Sequence, residues 1–293
     1  MKMKKSLGRK VFEVVNVTVL TIFSLLCLYP ILNQVALSLS SSSGILKHTV
    51  TIFPIDFTLE TYTAILKEGT FWLNYRNTVI YTVVGTAISL FMTTICSYPL
   101  SKKSLYGGSY ILKFFVFTMF FGGGLIPCYM LVRNLHMMDS IWAIVIPGAI
   151  APFSILLMKT FFEGLPTDLE DAAAIDGLSQ WGCFVRIALP LSKPILATMT
   201  LFSAVGYWNE WFSAVLYLND SDKYPVTLYL RNIMMGAQIA ASSGQKVDLS
   251  ATVSIPQSIQ AAAMLIVIIP ILCIYPFVQK HFAKGVLIGA IKG

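Results

Sequence analysis

Charged residues are scarce in this sequence. Only 12% of its 293 residues are Asp, Glu, Lys or Arg, whereas 56% are apolar. Ordinary globular domains have about 25% charged and roughly 45–50% apolar residues. A water-soluble fold of this size could not cover its surface with so few charges, which excludes a soluble enzyme and intrinsic disorder. The composition predicts a protein dissolved in lipid.

Cysteine, histidine and catalytic motifs are also scarce. The five cysteines form no CxxC pair, and the three histidines are scattered among predicted loops. This pattern argues against a disulfide framework, a metal site and a histidine-based active site. The phosphate-binding pattern G-x4-G-K-[ST] is missing, so we expect this chain to bind no ATP itself.

Long uncharged runs are what the sequence does contain. A helix needs about 20 apolar residues to cross roughly 30 Å of hydrocarbon, and helices satisfy their own backbone groups there. The first run exceeds the usual apolar core of a signal peptide, so we expect it to be retained. We predict an all-α polytopic membrane protein with a single transmembrane domain over residues 1–293. Its six spans cover residues 14–37, 77–101, 114–132, 140–158, 194–217 and 261–278.

The distribution of Lys and Arg indicates the orientation of these spans. If both termini are cytoplasmic, 14 of the 21 basic residues lie on the inner side and 7 on the outer side. Cytoplasmic loops carry such an excess of positive charge. The net charge of +7 therefore indicates topology and contact with anionic lipid head groups, rather than nucleic-acid binding.

Three loops between the spans are long. Residues 38–77 are predicted to lie outside and to contain a short helix near Leu59–Leu66. Residues 220–260 are predicted to form a polar outer loop that could meet an external partner. Residues 159–193 lie on the predicted inner side and carry the clearest local signals.

The inner segment is predicted to begin with a short helix. Thr167 and Glu170 have the spacing of a capping box, which places a helix over Asp168–Asp176. Gly177 is suited to the left-handed conformation that ends a helix. A second short helix is predicted to follow and to stop before Pro190.

The surface of the first short helix leaves two interpretations open. Its alanines, Ala172–Ala174, would let a partner's groove approach the backbone, and the neighbouring carboxylates would suit basic residues on that partner. Alternatively, the helix is a solvated connector whose alanines simply favour helix formation.

The inner segment carries a family resemblance. Asp171-Ala-Ala-x3-Gly177, followed after nine residues by Ile187-x-Leu189-Pro190, resembles the EAA loop of ABC importer permeases, whose pattern is E-A-A-x3-G-x9-I-x-L-P. Asp171 stands where the family has Glu, which keeps the charge. The resemblance implies that this loop couples to an ATPase subunit. The implied coupling residues are Asp168, Glu170, Asp171, Ala172, Ala173, Asp176, Gly177, Ile187, Leu189 and Pro190.

Other stretches resemble the shorter permease of the maltose-type carbohydrate importers. They are Trp208-Asn-Glu-Trp211, Pro225-Val-Thr-Leu228 and the tail from Lys284 to Gly293. The run Phe121–Pro127 is similar to a subgroup that imports oligosaccharides delivered by binding proteins, including alginate-type uronate oligosaccharides.

The resemblance implies transport without catalysis. It implies a type I ABC importer permease fold in the bacterial inner membrane, in which this chain forms half of the pathway for an oligosaccharide. The implied partners are a second homologous permease, two ATP-binding subunits and an extracytoplasmic solute-binding protein. No cofactor is expected in this chain, because ATP and Mg²⁺ belong to the ATPase subunits.

Glu210 is the one acidic residue predicted inside a span, in its outer part. Intramembrane ionisable groups usually face a cavity or a partner. In one interpretation this region is a substrate path, with aromatic rings stacking on sugars and polar groups bonding to hydroxyls. In the other it is an interfacial aromatic belt, with Glu210 anchoring a partner subunit. The residues concerned are Tyr207, Trp208, Asn209, Glu210 and Trp211.

The glycine run Gly122–Gly124 lies in the predicted third span. Glycines in membrane helices permit close helix contact or a break in the helix. We expect close packing here.

Two rival functions stay open. One is a secondary transporter, for which charges near the midplane and an inverted repeat with broken helices would be typical. The other is an ABC permease for a non-sugar solute.

Overall fold

The computed structural model describes residues 7–47, 50–242 and 257–273. Within these ranges the chain is helical and has no strand, as the composition predicts. The helices are α1 Leu7–Ser38, α2 Ser42–Leu46, α3 Glu60–Lys67, α4 Gly69–Leu100, α5 Gly108–Phe120, α6 Leu125–Asn134, α7 Ile141–Val145, α8 Pro152–Glu163, α9 Thr167–Ile175, α10 Gln180–Cys183, α11 Leu189–Leu191, α12 Lys193–Trp208, α13 Phe212–Tyr217, α14 Val226–Ser242 and α15 Gln257–Cys273. A π-helical turn, Phe184–Ala188, joins α10 to α11, and a 3-10 turn covers Ser221–Lys223.

Two helices, α1 and α4, are each long and apolar enough to cross a membrane. Two bent pairs, α5 with α6 and α10–α11 with α12, raise this number to four if each pair is one span. The second span was expected to begin at residue 77, but α4 begins at Gly69, because the helix continues beyond its apolar stretch. The end of the predicted sixth span and the tail from Lys284 to Gly293 lie outside the described residues.

The predicted third span is broken rather than straight. The helices α5 and α6 meet at a bend of 114°. Gly124 has φ +84°, a conformation that favours glycine. Apart from Gly122 itself and its two chain neighbours, no described residue has an atom within 4 Å of the position where a Cβ on Gly122 would stand. The glycine run therefore breaks the helix, and our expectation of close packing is wrong.

The predicted fourth and fifth spans are also interrupted. Residues 146–151 separate α7 from α8 and include Pro147, which has no N–H to continue a helix. In the fifth span, α12 ends at Trp208 and α13 begins at Phe212. Spans measured as gaps between charges cannot show such breaks, because the intervening residues are themselves uncharged or nearly so.

The loops are only partly as expected. The short helix predicted near Leu59–Leu66 is confirmed as α3. The polar loop predicted over residues 220–260 is wrong in its first half, where α14 forms. Leu228 and Leu230 are 2% and 7% exposed, so apolar burial stabilises this helix. Residues 243–256 lie outside the described part of the chain.

Contacts divide the chain into two compact units. Of the described residues, the first contains 7–47, 50–69, 230–242 and 257–269. Its helix α1 exposes apolar side chains along most of its length, which is a surface for hydrocarbon to cover. The C-terminal end of α1 is fixed by polar contacts. Tyr62 donates a hydrogen bond to Ser38 Oγ (2.9 Å), and the Ile55 N–H donates to Ser40 Oγ (3.0 Å).

Of the described residues, the second unit contains 70–229 and 270–273. Its helix α4 turns hydroxyl side chains inward and apolar side chains outward. Thr78, Thr93 and Ser97 are at most 2% exposed, whereas Val83 and Phe91 are about 60% exposed. Lipid is as apolar as leucine, so membrane helices associate through close packing and hydrogen bonds rather than through the hydrophobic effect.

Close packing in the second unit centres on Gly85 of α4. A Cβ at this position would stand 2.7 Å from the ring of Tyr207. Glycine therefore lets α12 approach α4 through this ring. The Tyr207 hydroxyl donates to the Val145 carbonyl (3.0 Å), so one side chain fixes α12 against both α4 and α7.

Candidate functional site

The helix predicted over Asp168–Asp176 is confirmed as α9, Thr167–Ile175. Gly177 follows it with φ +78°. The Leu178 N–H donates to the Ala173 carbonyl (2.9 Å), and the Gly177 N–H donates to the Ala174 carbonyl (3.1 Å). These two bonds form the Schellman arrangement, in which a left-handed glycine ends the helix.

The capping box predicted for α9 does not form. The residue before the helix is Pro166, and Thr167 is already the first helical residue, so its side chain does not cap the N-terminus. Glu170 points inward instead. Both of its carboxylate oxygens pair with the ammonium of Lys102, and one accepts a hydrogen bond from the Tyr98 hydroxyl (3.3 Å).

The other acidic residues of the inner segment face solvent. Ala173 is 5% exposed and packs inward, whereas Ile175 projects from the helix at 88% exposure. Leu169 of the same helix is 44% exposed. Carboxylates and small residues therefore surround two exposed apolar side chains, which is a surface that can enter a groove lined with basic residues. The exposed members of the predicted coupling set are Asp168, Asp171, Ala172, Asp176, Gly177 and Pro190.

Tyr98, whose hydroxyl bonds to Glu170 of α9, belongs to an aromatic cluster. The ring of Tyr98 packs against Phe162 and Phe184, with centroids 5.4 Å and 4.8 Å away. Leu189 packs against the same cluster and, like Ile187, is half-buried. Both therefore lie away from the most exposed part of the inner segment, and Leu189 belongs to the packing around Tyr98.

The second short helix runs further than predicted. The chain continues from α10 through the π-helical turn into α11, so it passes Pro190 and ends at Leu191. Proline has no N–H to donate, and the wider turn before it accommodates the missing hydrogen bond. A bend of 79° then separates this segment from α12.

A cavity of about 260 Å³, with several polar side chains in a largely apolar wall, lies among α4, α7, α8, α12 and α13. Glu210 and the serines Ser89, Ser154 and Ser203 contribute to its wall. The hydroxyl oxygens of Ser89 and Ser203 are 3.3 Å apart. The sequence analysis identified Glu210 as a candidate residue but not the serines. For Ser89, the spacing of Ser and Thr by three and four residues along α4 was a signal of a polar helix face.

The structure separates the five candidate path residues. Tyr207 and Glu210 line the cavity. Trp208 is 8% exposed and packs edge-to-face on a tyrosine of α4, 5.8 Å away. Asn209 donates to a carbonyl in the last turn of α12 (3.0 Å), and Trp211 directly precedes α13. The three residues other than Tyr207 and Glu210 therefore pack or cap helices outside the cavity wall.

Glu210 has a structural role as well as a place in the cavity. Its Oε1 accepts a hydrogen bond from the Ser213 N–H (2.8 Å), in the first turn of α13. A carboxylate at this position satisfies an N–H that has no partner within the helix and suits the positive end of the helix dipole. The break between α12 and α13 is thereby stabilised.

Asp139 joins two loops on the predicted outer side. Its Oδ1 accepts from the N–H groups of Asn219 and Asp220 (both 3.1 Å), and its Oδ2 accepts from Lys223 Nζ (2.8 Å). The hydrogen bond from Lys223, with those from the backbone, lowers the pKa of Asp139. The same pair raises the pKa of Lys223.

Comparison with known proteins identifies the class that this fold defines. Residues 2–288 match the family described as "Binding-protein-dependent transport system inner membrane component". The chain belongs to this family.

Similar proteins of known description cover nearly the whole chain. Protein LplC of Bacillus subtilis (strain 168) is 42% identical over 97% of this chain and 96% of its own length. The polygalacturonan/rhamnogalacturonan transport system permease protein YtcP of the same organism is 38% identical over 97% of this chain and 99% of its own. A chain in the crystal structure of a bacterial ABC transporter involved in import of the acidic polysaccharide alginate is 32% identical, with a TM-score of 0.86, covering 96% of this chain and 100% of that one.

The class of protein follows from these relationships. The chain is a membrane permease of an ABC importer for sugar or oligosaccharide uptake, with the type I permease fold. The predicted family is thus confirmed, and the alternative of a secondary transporter is excluded. The chain is not an enzyme, because ATP hydrolysis belongs to separate ATPase subunits.

The bonds to Asp139 predict a dependence of stability on pH. Folding lowers the pKa of this carboxyl below its ordinary value of 3.8. Its contribution is therefore complete above that value and is lost as the pH falls through the lower folded pKa. We expect Asp139→Asn to lower the thermal unfolding midpoint at neutral pH and to flatten its decline in acid.

The measurement is thermal unfolding of the purified protein in detergent from about pH 7 to pH 3. Asp222→Asn is the matched control, since it removes an exposed carboxylate from the same loop. Identical acid profiles for Asp139→Asn and the wild type would contradict this assignment.

Proposed function

We propose that this chain forms half of the translocation pathway of a binding-protein-dependent importer, and that α9 is its coupling helix. The observation that carries the proposal is the inner segment itself. An exposed acidic helix, ended by Gly177, is joined through Glu170 to Lys102 and to Tyr98, a member of an aromatic cluster. A partner subunit that binds α9 tightly can displace the elements that α9 contacts.

The proposed setting is the bacterial inner membrane, with six spans, cytoplasmic termini and one permease domain over residues 1–293. The two long helices and two bent pairs supply four spans, and α7 with α8 and α15 supply the others. The excess of Lys and Arg on one side supports this orientation.

The proposed complex contains a second homologous permease, two ATP-binding subunits and an extracytoplasmic solute-binding protein. The ATPase subunits bind ATP and Mg²⁺, because this sequence has no phosphate-binding loop. Shifting a two-state pathway from 1:99 to 99:1 takes about 5.5 kcal/mol of differential binding. The exposed residues of α9 are the proposed contact through which ATP binding delivers this free energy.

The proposed substrate is an acidic, uronate-containing oligosaccharide. Support comes from similarity to a permease named for polygalacturonan and rhamnogalacturonan and to a chain from an importer of acidic alginate. We place the cavity beside Glu210 on the substrate path and assign it to sugar hydroxyls. The half-buried carboxylate of Glu210 would repel a uronate group, whereas serine hydroxyls and a carboxylate bond well to sugar hydroxyls. The cavity volume of about 260 Å³ is below the ~300–1,000 Å³ of pockets for drug-sized ligands, so the cavity suits a single sugar ring.

Uptake into proteoliposomes that contain the whole complex tests the substrate. We expect ATP-driven uptake of galacturonan or alginate oligosaccharides and none of neutral maltooligosaccharides of equal length. Omitting the binding protein is the control and should abolish uptake. Equal uptake of neutral and acidic sugars would contradict the proposed substrate.

Replacing Gly177 with valine tests the coupling helix. Its φ of +78° strains any residue with a Cβ by about 1–2 kcal/mol, so the end of α9 should shift. We expect normal membrane insertion but roughly fivefold or greater loss of sugar transported per ATP hydrolysed. Gly164→Val is the matched control, because Gly164 has φ −82°. Wild-type coupling in Gly177→Val would refute the role of α9.

Glu210→Gln separates the two interpretations of Glu210. Glutamine keeps an oxygen to accept from the Ser213 N–H but loses the charge, so the start of α13 should survive. If sugar hydroxyls bond to this carboxylate, uptake at saturating binding protein should fall by about fivefold, the difference between charged and neutral hydrogen bonds. Unchanged uptake with impaired assembly of the complex would instead make Glu210 an anchor for the partner permease.

A further inference from the structure

We propose that Lys102, Glu170 and Tyr98 are positioning residues that tie the coupling helix α9 to the inner end of α4. We name these three residues the inner clamp. The inference rests on the proposed function and extends it, because it identifies α4 as a helix that receives the movement of α9.

The inner clamp joins elements that are distant in sequence. Lys102 follows the last turn of α4, and Glu170 lies in α9. The Lys102 ammonium contacts both carboxylate oxygens of Glu170 and stands 4.4 Å from the centre of the Tyr98 ring. The Tyr98 hydroxyl donates to the same carboxylate (3.3 Å). Glu170 is thus held by two groups from one helix end.

The burial of the inner clamp distinguishes it from an ordinary surface ion pair. The Lys102 and Glu170 side chains are each 22% exposed, so water screens their attraction less than it would at the surface. By comparison, in the pair Lys159–Glu163 (2.6 Å) the lysine is 16% exposed but the carboxylate is 43% exposed, and the pair lies within α8 alone.

The outer end of α4 is also fixed. Asn77 Nδ2 donates to the Asp222 carbonyl (2.7 Å), and the Tyr81 hydroxyl donates to the Lys223 carbonyl (2.7 Å). At about 1.5 Å per residue, Asn77 and Tyr98 are roughly 32 Å apart along the helix. One continuous helix therefore has specific contacts to the outer loop at one end and to the coupling helix at the other.

This arrangement gives the inner clamp a function that apolar packing could not supply. Apolar side chains can slide past one another, whereas a charged pair with a hydroxyl donor fixes one relative position. Movement of α9 that keeps the clamp closed must displace α4, and with it the loop over residues 222–226.

The test uses the complete complex in proteoliposomes and measures sugar transported per ATP hydrolysed. We expect Glu170→Gln and Lys102→Met each to lower this ratio by about fivefold, as expected for an effective ion pair. The exchanged pair, Lys102→Glu with Glu170→Lys, should raise the ratio above that of either single variant, but not to the wild-type value, because the Tyr98 hydroxyl then has no carboxylate at position 170 to donate to. A cavity of about 370 Å³, lined in part by Leu105 and Trp181, gives the exchanged side chains room.

Two variants serve as matched controls. Lys103→Met removes the neighbouring exposed lysine, and Glu163→Gln breaks the Lys–Glu pair within α8. Both should keep the wild-type ratio. If Glu170→Gln fails to assemble, Tyr98→Phe removes one hydroxyl while keeping the ring, and it should still lower the ratio.

The outcomes separate the inner clamp from the proposed function. A wild-type complex without ATP-driven uptake would overturn both. A transporting complex in which the single variants, or Tyr98→Phe, keep the wild-type ratio would overturn the clamp alone. So would an exchanged pair that is no better coupled than either single variant.

Discussion

The inner half of the second unit depends on the contacts of Tyr98. Its ring packs in an aromatic cluster with Phe162 and Phe184, and its hydroxyl bonds to the carboxylate of Glu170. Aromatic pairs of this kind contribute about 0.5–1.5 kcal/mol beyond the area they bury. Tyr98 therefore connects an apolar core to the ion pair Lys102–Glu170. Both contacts help to fix the position of the exposed helix α9.

The sequence predicted the chemistry of α9 better than its contacts. Helix propensity, the acidic first turn and Gly177 are local signals, and each appears in the structure as expected. The orientation of Glu170 depends on a residue that is distant in the sequence. Lys102 lies 68 residues away. The ion pair with this half-buried lysine stabilises the inward orientation of Glu170 more than a capping hydrogen bond, which water could replace. The predicted topology also places Lys102 on the same inner side as α9. The spacing of charges along the sequence cannot show, however, that Lys102 pairs with Glu170.

The spans show the same division between local and non-local information. The length of the apolar runs correctly predicted helical segments. It could not reveal that Gly122–Gly124 break one predicted span, or that Glu210 caps the helix that follows the break in another. A break in lipid is tolerated only where its backbone groups find partners in the protein. Glu210 supplies one by accepting from the Ser213 N–H, and Thr227 supplies another by donating to the Glu210 carbonyl (2.9 Å). Such compensation is visible only in three dimensions.

The inward hydroxyls of α4 have a mechanical consequence. Thr78 and Ser97 return hydrogen bonds to carbonyls one turn earlier in their own helix. The same hydroxyls also bond to other elements: Thr78 Oγ1 accepts from the Val226 N–H (2.8 Å), and Ser97 Oγ donates to the Ile155 carbonyl (3.1 Å). A shift of α4 past these neighbours would leave the buried Val226 N–H without its acceptor, which is costly. The inward hydroxyls therefore make α4, the start of α14 and α8 move together.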